Sequence, residues 1–149
     1  MRVGTTTSSS VSVEVVTELR LIRSPRLSHA EYADAAIIRA NHEVIYMAGA
    51  CPLGSDGRVV APGDIAAQTR QALFNMAEVL SACHVDLEDV AFLRVLVVAT
   101  KPEHLGGAWT VVREYFGEHL VPATLQGVPV LGYPEQLVEI EPIAARLPR

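Results

Sequence analysis

The sequence predicts an α+β fold in which two helices cover one face of a mixed sheet of about six strands. Short β-branched runs and two segments with apolar residues at helical spacing follow one another in the order β, β, β, α, β, α, β, β. The 149 residues, of which 50% are hydrophobic and 19% charged, suffice for one domain with a sizeable core. We therefore expect a single domain over residues 11–149, preceded by a flexible tail over residues 1–10.

Composition and charge disfavour several classes of protein. The net charge of −5 argues against a nucleic-acid partner, because phosphate binding needs clustered Lys and Arg. No stretch approaches the roughly 18–20 apolar residues that span a bilayer, and the N-terminus lacks the features of a secretory signal. The spacing of Cys51 and Cys83 fits neither a zinc site nor a redox motif. We expect a cytoplasmic protein without a membrane partner.

Three strands are predicted before the first helix. Residues 11–23 alternate loosely and are rich in Val, which favours a β-strand. Two apolar runs, residues 35–40 and 43–48, flank Asn41, and this pattern is typical of a β-hairpin because Asn tolerates the positive φ of a tight turn. Residues 49–64 are rich in Gly and Pro and predict a loop.

Two amphipathic helices follow, separated by an apolar strand over residues 91–100. Asp64 is a suitable N-cap for the first helix. The second is predicted to begin at Thr100, which has capping-box spacing to Glu103, and to end at Gly117. The predicted inward face of the first helix consists of Thr69, Ala72, Leu73, Met76, Leu80 and Cys83, with Gln68 on the polar side.

Two further strands, residues 124–131 and 136–145, are predicted around a turn at residues 132–135. Glu139 and Glu141 lie on the same face of the last strand because side chains alternate with period two. Two helices cover only one face of such a sheet, and the strands are too apolar for the other face to be exposed to solvent. We therefore expect that face to be covered by barrel closure or by other copies of the chain.

Three motifs in this order of elements resemble the RidA/YjgF family. Met47–Leu53 (MAGACPL) stands at the place of that family's S-G-Q-x-P segment. Gly63–Leu73 (GDIAAQTRQAL) is similar to its G-D-x-x-x-Q-x-x-x-x-L helix start. Pro122–Thr124 and Leu137–Glu141 (LVEIE) stand at the places of P-A-R and of the terminal V-E-I-E-A strand. The resemblance covers residues 32–145.

The resemblance implies a chorismate-mutase-like fold and a homotrimer whose sheets face inward as a barrel, with a cleft at each subunit interface. It also implies hydrolysis of imines and enamines, such as 2-aminoacrylate, to ketones and ammonia, with no cofactor and no metal. In the family an arginine binds the substrate carboxylate with a bidentate fork that a hydroxyl cannot copy. That position falls on Thr124, which implies a member unlike the standard 2-aminoacrylate deaminase.

The resemblance also implies which residues occupy the remaining cleft positions. The cleft glutamate falls on Glu139, and the glycine of S-G-Q is retained as Gly49. The other positions fall on Ala48 and Ala50 beside that glycine, Gln126 two residues after Thr124, Trp109 on the second helix, and Tyr32 before the predicted hairpin.

Glu139 has two interpretations. From the pattern alone, it is as readily a solvated glutamate on the outer face of a strand. The resemblance favours a cleft position, and a carboxyl group in an apolar cleft is suited to general acid/base catalysis. For Glu141 we favour the plainer interpretation, a rim residue or a contact between subunits.

The other candidates each keep an ordinary structural alternative. Thr124 is either a hydrogen-bond donor to a ligand or a β-branched strand residue, and Gln126 offers both a donor and an acceptor. Trp109 belongs either to the core or to the wall of an apolar pocket. Cys51 is more simply a small buried residue than a nucleophile, because no His or acid stands beside it in the sequence. Tyr133 lies in a turn or overhangs a neighbouring subunit's site.

Two functional hypotheses result. The first is an enzyme that uses Glu139 for acid/base chemistry on an imine, enamine or related carbonyl intermediate, by hydrolysis or by cyclisation in a secondary pathway. The second is a non-catalytic trimer that binds and sequesters a small-molecule metabolite. A nuclease, an activity ascribed to the family, is disfavoured by the acidic net charge of −5.

Overall fold

The computed structural model describes residues 19–149, and the predicted α+β class is confirmed. The tail predicted over residues 1–10, and residues 11–18 of the first predicted strand, lie outside the described part of the chain. The elements are β1 (Leu19–Ile22), β2 (Ala35–Ile38), β3 (Glu43–Tyr46), α1 (Ile65–Ala82), β4 (Val90–Val98), α2 (Gly106–Phe116), β5 (Ala123–Val128) and β6 (Val138–Arg146).

The strands of the described residues divide between two sheets, where the sequence predicted one. A mixed sheet has the order β3-β6-β4-β5, in which β4 and β5 are parallel, and β1 pairs with β2 in a separate antiparallel ribbon. The predicted hairpin is therefore wrong. Asn41 has the expected positive φ of 67°, but Ala35 pairs with Ile22 and Glu43 pairs with Arg146. The chain turns at Asn41 and its two flanking strands join different ladders.

Helix α1 begins as predicted. The Asp64 side chain accepts a hydrogen bond from the backbone N–H of Ala67 at 2.8 Å, which satisfies a donor that the first turn leaves free. The predicted apolar face is buried against β6 and α2, except that Cys83 lies at the C-cap. Gln68, predicted on the polar side, is fully buried, because its amide pairs with backbone groups of two other segments.

Helix α2 begins six residues later than predicted, at Gly106. The chain leaves the sheet only after Ala99, whose N–H still bonds to Val128 O at 3.2 Å, and it then forms a 3₁₀ turn over Pro102–His104. The predicted capping box at Thr100 is consequently not formed. The end of the helix is as predicted, since Gly117 adopts a φ of 55°.

One face of the four-stranded sheet packs on the helices, and the other is not covered by residues 19–149. Val95, Val138 and Ile140 are fully buried on the helix side. On the opposite face, residues in register form two rows across β6, β4 and β5. One row consists of Glu141, Arg94 and Thr124, and the other consists of Glu139, Leu96 and Gln126. Tyr46, which is 79% exposed, extends this face at the β3 edge.

The helices of the described chain are each too short or too polar to cross a membrane.

Candidate functional site

The carboxyl group of Glu139 lies directly on the backbone of Gly49. A Cβ atom at Gly49 would come within 2.6 Å of Glu139 Cδ, so any larger residue would displace the carboxyl group. The loop is held in place by its neighbour, because Ala50 exchanges two backbone hydrogen bonds with Ile140 at 2.7 and 3.1 Å. Gly49 therefore provides the space in which the Glu139 side chain rests.

Two side-chain donors bind the same oxygen of Glu139. Gln136 Nε2 donates to Oε2 at 3.1 Å, and Cys51 Sγ donates to Oε2 at 3.7 Å. We call Gly49, Cys51, Gln136 and Glu139 the carboxylate cluster. Among the described residues no donor binds Oε1, the oxygen that lies over Gly49. One oxygen thus anchors the carboxyl group, and the other has no hydrogen-bond donor among residues 19–149.

The geometry does not support Cys51 as a nucleophile. Burial and then the neighbouring Glu139 carboxylate raise the pKa of the Cys51 thiol above its ordinary value, against a smaller lowering by a hydrogen bond from Gln136. The sequence placed no acid beside Cys51, whereas the fold does. That acid disfavours the reactive thiolate, and the thiol serves as a hydrogen-bond donor.

Two side-chain amides, one of them fully buried, connect this cluster to helix α1. Gln68 donates to Ala61 O at 3.3 Å and to Glu135 O at 3.0 Å, and it accepts from the Leu137 N–H at 2.7 Å. Asn75 Nδ2 donates to Cys51 O at 2.8 Å. The segments that carry the two donors to Glu139 are therefore both fixed to the same helix.

A second candidate region lies at the β5 edge. Tyr32, Trp109, Ala123, Thr124 and Leu125 line a cavity of about 430 Å³, which we call the aromatic cavity. The two rings meet edge to face, with centroids 6.0 Å apart and planes at 83°. Trp109 Nε1 donates to Glu31 Oε2 at 2.9 Å. Trp109 is half-buried and lines a cavity as well as packing on the core.

The residues predicted to share one cleft fall into separate groups in a single chain. Gln126 and Glu139 share a face with β4 between them, which separates their backbones by about 10 Å at the usual strand spacing. Gln126 is exposed and does not line the aromatic cavity. Tyr133 lines another hollow, beside Arg58 and Pro62, and its backbone N–H donates to Gln136 Oε1 at 3.0 Å.

The structure adds three residues that the sequence interpretation missed. Gln136 and Glu31 bond to predicted site residues, but no pattern marks them, because each lies outside the motifs. The sequence does contain a signal for Arg94, because it is the one charged residue within an apolar strand. It lies in register with Thr124, yet its guanidinium donates to Glu141 at 2.8 Å on the other side. In residues 19–149 no three His, Cys, Asp or Glu side chains are grouped so that they could hold a metal ion.

Comparisons with known proteins agree with this fold. The sequence model described as "Endoribonuclease L-PSP" matches residues 23–146, so the chain belongs to that family, the RidA/YjgF family. A Yersinia pestis protein of unknown function from the Rid family, YyfB, is 27% identical over 87% of this chain and 99% of its own, with a TM-score of 0.79. A Mycobacterium tuberculosis member of the YjgF family is 26% identical over 85% of this chain and 98% of its own, with a TM-score of 0.57.

Proposed function

We propose that the protein is a cofactor-independent enzyme of the RidA family that acts on a reactive imine, enamine or related carbonyl intermediate, with Glu139 as the general acid and base. The carboxylate cluster carries this proposal. Its two donors hold Oε2 and leave Oε1 over Gly49 without a donor among the described residues. A fixed carboxylate with one free oxygen is suited to positioned proton transfer.

In hydrolysis of an imine, Glu139 Oε1 accepts a proton from water as the water oxygen bonds to the C=N carbon. Glu139 then donates this proton to the nitrogen, which gives a neutral carbinolamine and restores the carboxylate. The carboxylate next transfers the hydroxyl proton to the same nitrogen as the C–N bond breaks, so that ammonia or an amine leaves and a carbonyl remains. The same transfers would serve a cyclisation, in which a nucleophile of the substrate replaces water.

We propose a homotrimer with one cleft at each subunit interface. The uncovered face of the sheet and the separation of the carboxylate cluster from the aromatic cavity both support it. Contact between the β6 side of one copy and the β5 edge of the next would bring the two regions to one substrate. Light scattering should give the mass of three chains, and a monomer at working concentrations would contradict the assembly.

The substrate is proposed to need no carboxylate, so the enzyme is not a standard 2-aminoacrylate deaminase. Thr124 stands where the resemblance puts the arginine, and the nearby Arg94 is engaged by Glu141. We expect ammonia release from an imine without a carboxylate to be accelerated, and release from enzymatically generated 2-aminoacrylate to stay near its spontaneous rate. Robust turnover of 2-aminoacrylate would show that the arginine is dispensable or that Arg94 replaces it.

Glu139→Gln tests the role of the carboxylate, with Glu141→Gln as its matched control on the same face of β6. The first should reduce imine hydrolysis by about 10² or more, because general acid/base catalysis contributes that much. The second should retain most of the activity. Unchanged kinetics in Glu139→Gln would refute the catalytic role of this residue. Absence of imine hydrolysis by the wild-type protein would instead favour the alternative of a ligand-binding trimer, which the aromatic cavity alone would support.

A further inference from the structure

The aromatic cavity has walls that suit a particular charge. Tyr32 and Trp109 both line it with nearly perpendicular rings, and Thr124 adds a hydroxyl. The face of an aromatic ring carries negative electrostatic potential, which attracts cations and is strongest for Trp. Two such rings at one cavity therefore favour an ammonium or iminium group over a neutral group of the same shape.

Glu31 adds a full negative charge beside these rings. Its Oε2 accepts the indole N–H of Trp109 at 2.9 Å, which fixes the carboxylate at the edge of the indole ring. No arginine or lysine of the described residues lines the cavity. Arg94 lies one strand away, but its guanidinium donates to Glu141 at 2.8 Å, on the side of β4 away from β5. Arg23 lies outside the cavity lining and donates to the backbone oxygens of Ala30 and, at 3.5 Å, of Tyr32. The charge that bonds to a ring of the cavity is that of Glu31, which favours a cation over an anion there.

We propose that the aromatic cavity binds a small organic cation, a protonated imine or an amine, against the rings of Tyr32 and Trp109 that line it and close to Glu31. The ligand group bound here would thus be positively charged, whereas an arginine binds a negatively charged substrate carboxylate. The inference rests on the proposed function in that this cation would be the substrate on which Glu139 acts. Protonation of the imine nitrogen makes the C=N carbon more electrophilic, so the bound form is also the form that water attacks.

Trp109 allows a direct test, because it is the single tryptophan of the chain and itself forms a cavity wall. Its fluorescence should be titrated with choline and with 3,3-dimethylbutan-1-ol, which has the same shape but no charge. We expect choline to bind about 3- to 30-fold more tightly, the range that cation–π energies give. Sodium acetate at matched ionic strength should produce no saturable change.

Two substitutions assign the effect to its source. Glu31→Gln should weaken choline binding several-fold and leave the alcohol unaffected. Glu78→Gln, on the exposed face of α1, changes net charge equally and should leave both unaffected. Tyr32→Leu keeps an apolar wall without the ring and should reduce the preference for choline over the alcohol. Circular dichroism and light scattering establish that each variant is folded and assembled as the wild type is.

The proposal fails if choline and the alcohol bind equally, if acetate binds more tightly, or if Glu31→Gln behaves like Glu78→Gln. It also fails if choline produces no change, since a ligand against these rings must alter the surroundings of Trp109. The binding measurement requires no turnover. Selective choline binding without hydrolysis of any imine would therefore refute the proposed enzyme and leave the cation site standing. Imine hydrolysis without selectivity for choline would refute the cation site and leave the proposed enzyme standing.

Discussion

The carboxylate cluster and the aromatic cavity differ in how firmly the fold holds them. Glu139 rests on Gly49, receives bonds from Gln136 and Cys51, and is linked through them to α1. In residues 19–149 the two rings of the aromatic cavity are held by the bond from Trp109 to Glu31, a bond from Arg23 to the backbone oxygen of Tyr32, and their own edge-to-face contact. The group proposed for chemistry is thus held by a network of buried polar groups, whereas the proposed binding walls make fewer polar contacts and are held in part by packing of Trp109 on the core.

The firm attachment has an energetic basis in buried polar groups. Gln68 is fully buried and Gln136 is 3% exposed, and each satisfies backbone groups that would otherwise lack partners. An unsatisfied buried donor or acceptor costs about 1–3 kcal/mol. The cluster should therefore tolerate few substitutions, and the following predictions test how firmly it is held.

Gly49→Ala should have the largest effect on function. The new Cβ would occupy the space of the Glu139 carboxyl group and force it away from Gln136 and Cys51. A displacement of about 1 Å can reduce a rate by about 10²-fold, so imine hydrolysis should fall by at least that factor. Steady-state kinetics measure the loss, and a crystal structure of the variant should show the Glu139 side chain moved.

Gly106→Ala is the matched control. Gly106 is the first residue of α2, and nothing lies within 4 Å of a Cβ built there. The free energy of unfolding should change by less than about 1 kcal/mol, and activity should be retained. Wild-type activity in Gly49→Ala would contradict the account, because it would mean that Glu139 need not rest on this glycine.

Gln68→Leu should have the largest effect on stability. It removes the bonds to Ala61 and Glu135 and strands the Leu137 N–H, at a cost of about 2–4 kcal/mol in the free energy of unfolding. Urea denaturation measures this, with Gln126→Leu as a control at an exposed site. Equal stabilities of the two variants would show that the buried amide does not hold the turn that carries Gln136.

The pH dependence of Cys51 alkylation should show a smaller effect. In a Cys83→Ala background, iodoacetamide reports on the one remaining thiol. Burial and Glu139 raise the pKa of the Cys51 thiol, so the thiolate and the alkylation rate should rise at higher pH than in free cysteine. Glu139→Gln should move the profile to lower pH, and Gln136→Leu should move it to higher pH. A profile equal to that of free cysteine would contradict the packing of the cluster.

Much of the fold could be predicted from the sequence because its signals are local. Asp64 caps α1, Gly117 ends α2, and the alternation in β6 separates Glu139 from the buried Ile140. The hairpin could not be predicted, because the pattern around Asn41 indicates a turn but does not specify the pairing partners. The 3₁₀ turn before α2 follows from the pairing of Ala99 with β5, which is a tertiary contact.

The candidate site could be predicted less well. The resemblance identified Gly49 and Glu139, and the structure places them in contact. It did not identify Gln136, which reaches Glu139 through a turn, or Glu31, which reaches Trp109 across 78 positions of the chain. Such contacts depend on how segments fold together, and no spacing in the sequence encodes them.

The most direct test of the account is a comparison of Glu139→Gln and Tyr32→Leu on one carboxylate-free imine, with kcat and KM measured separately. If the carboxylate cluster performs the chemistry and the aromatic cavity binds, Glu139→Gln should lower kcat by about 10² or more with little change in KM. Tyr32→Leu should raise KM several-fold with little change in kcat. A lower kcat in Tyr32→Leu together with a raised KM and unchanged kcat in Glu139→Gln would contradict this division.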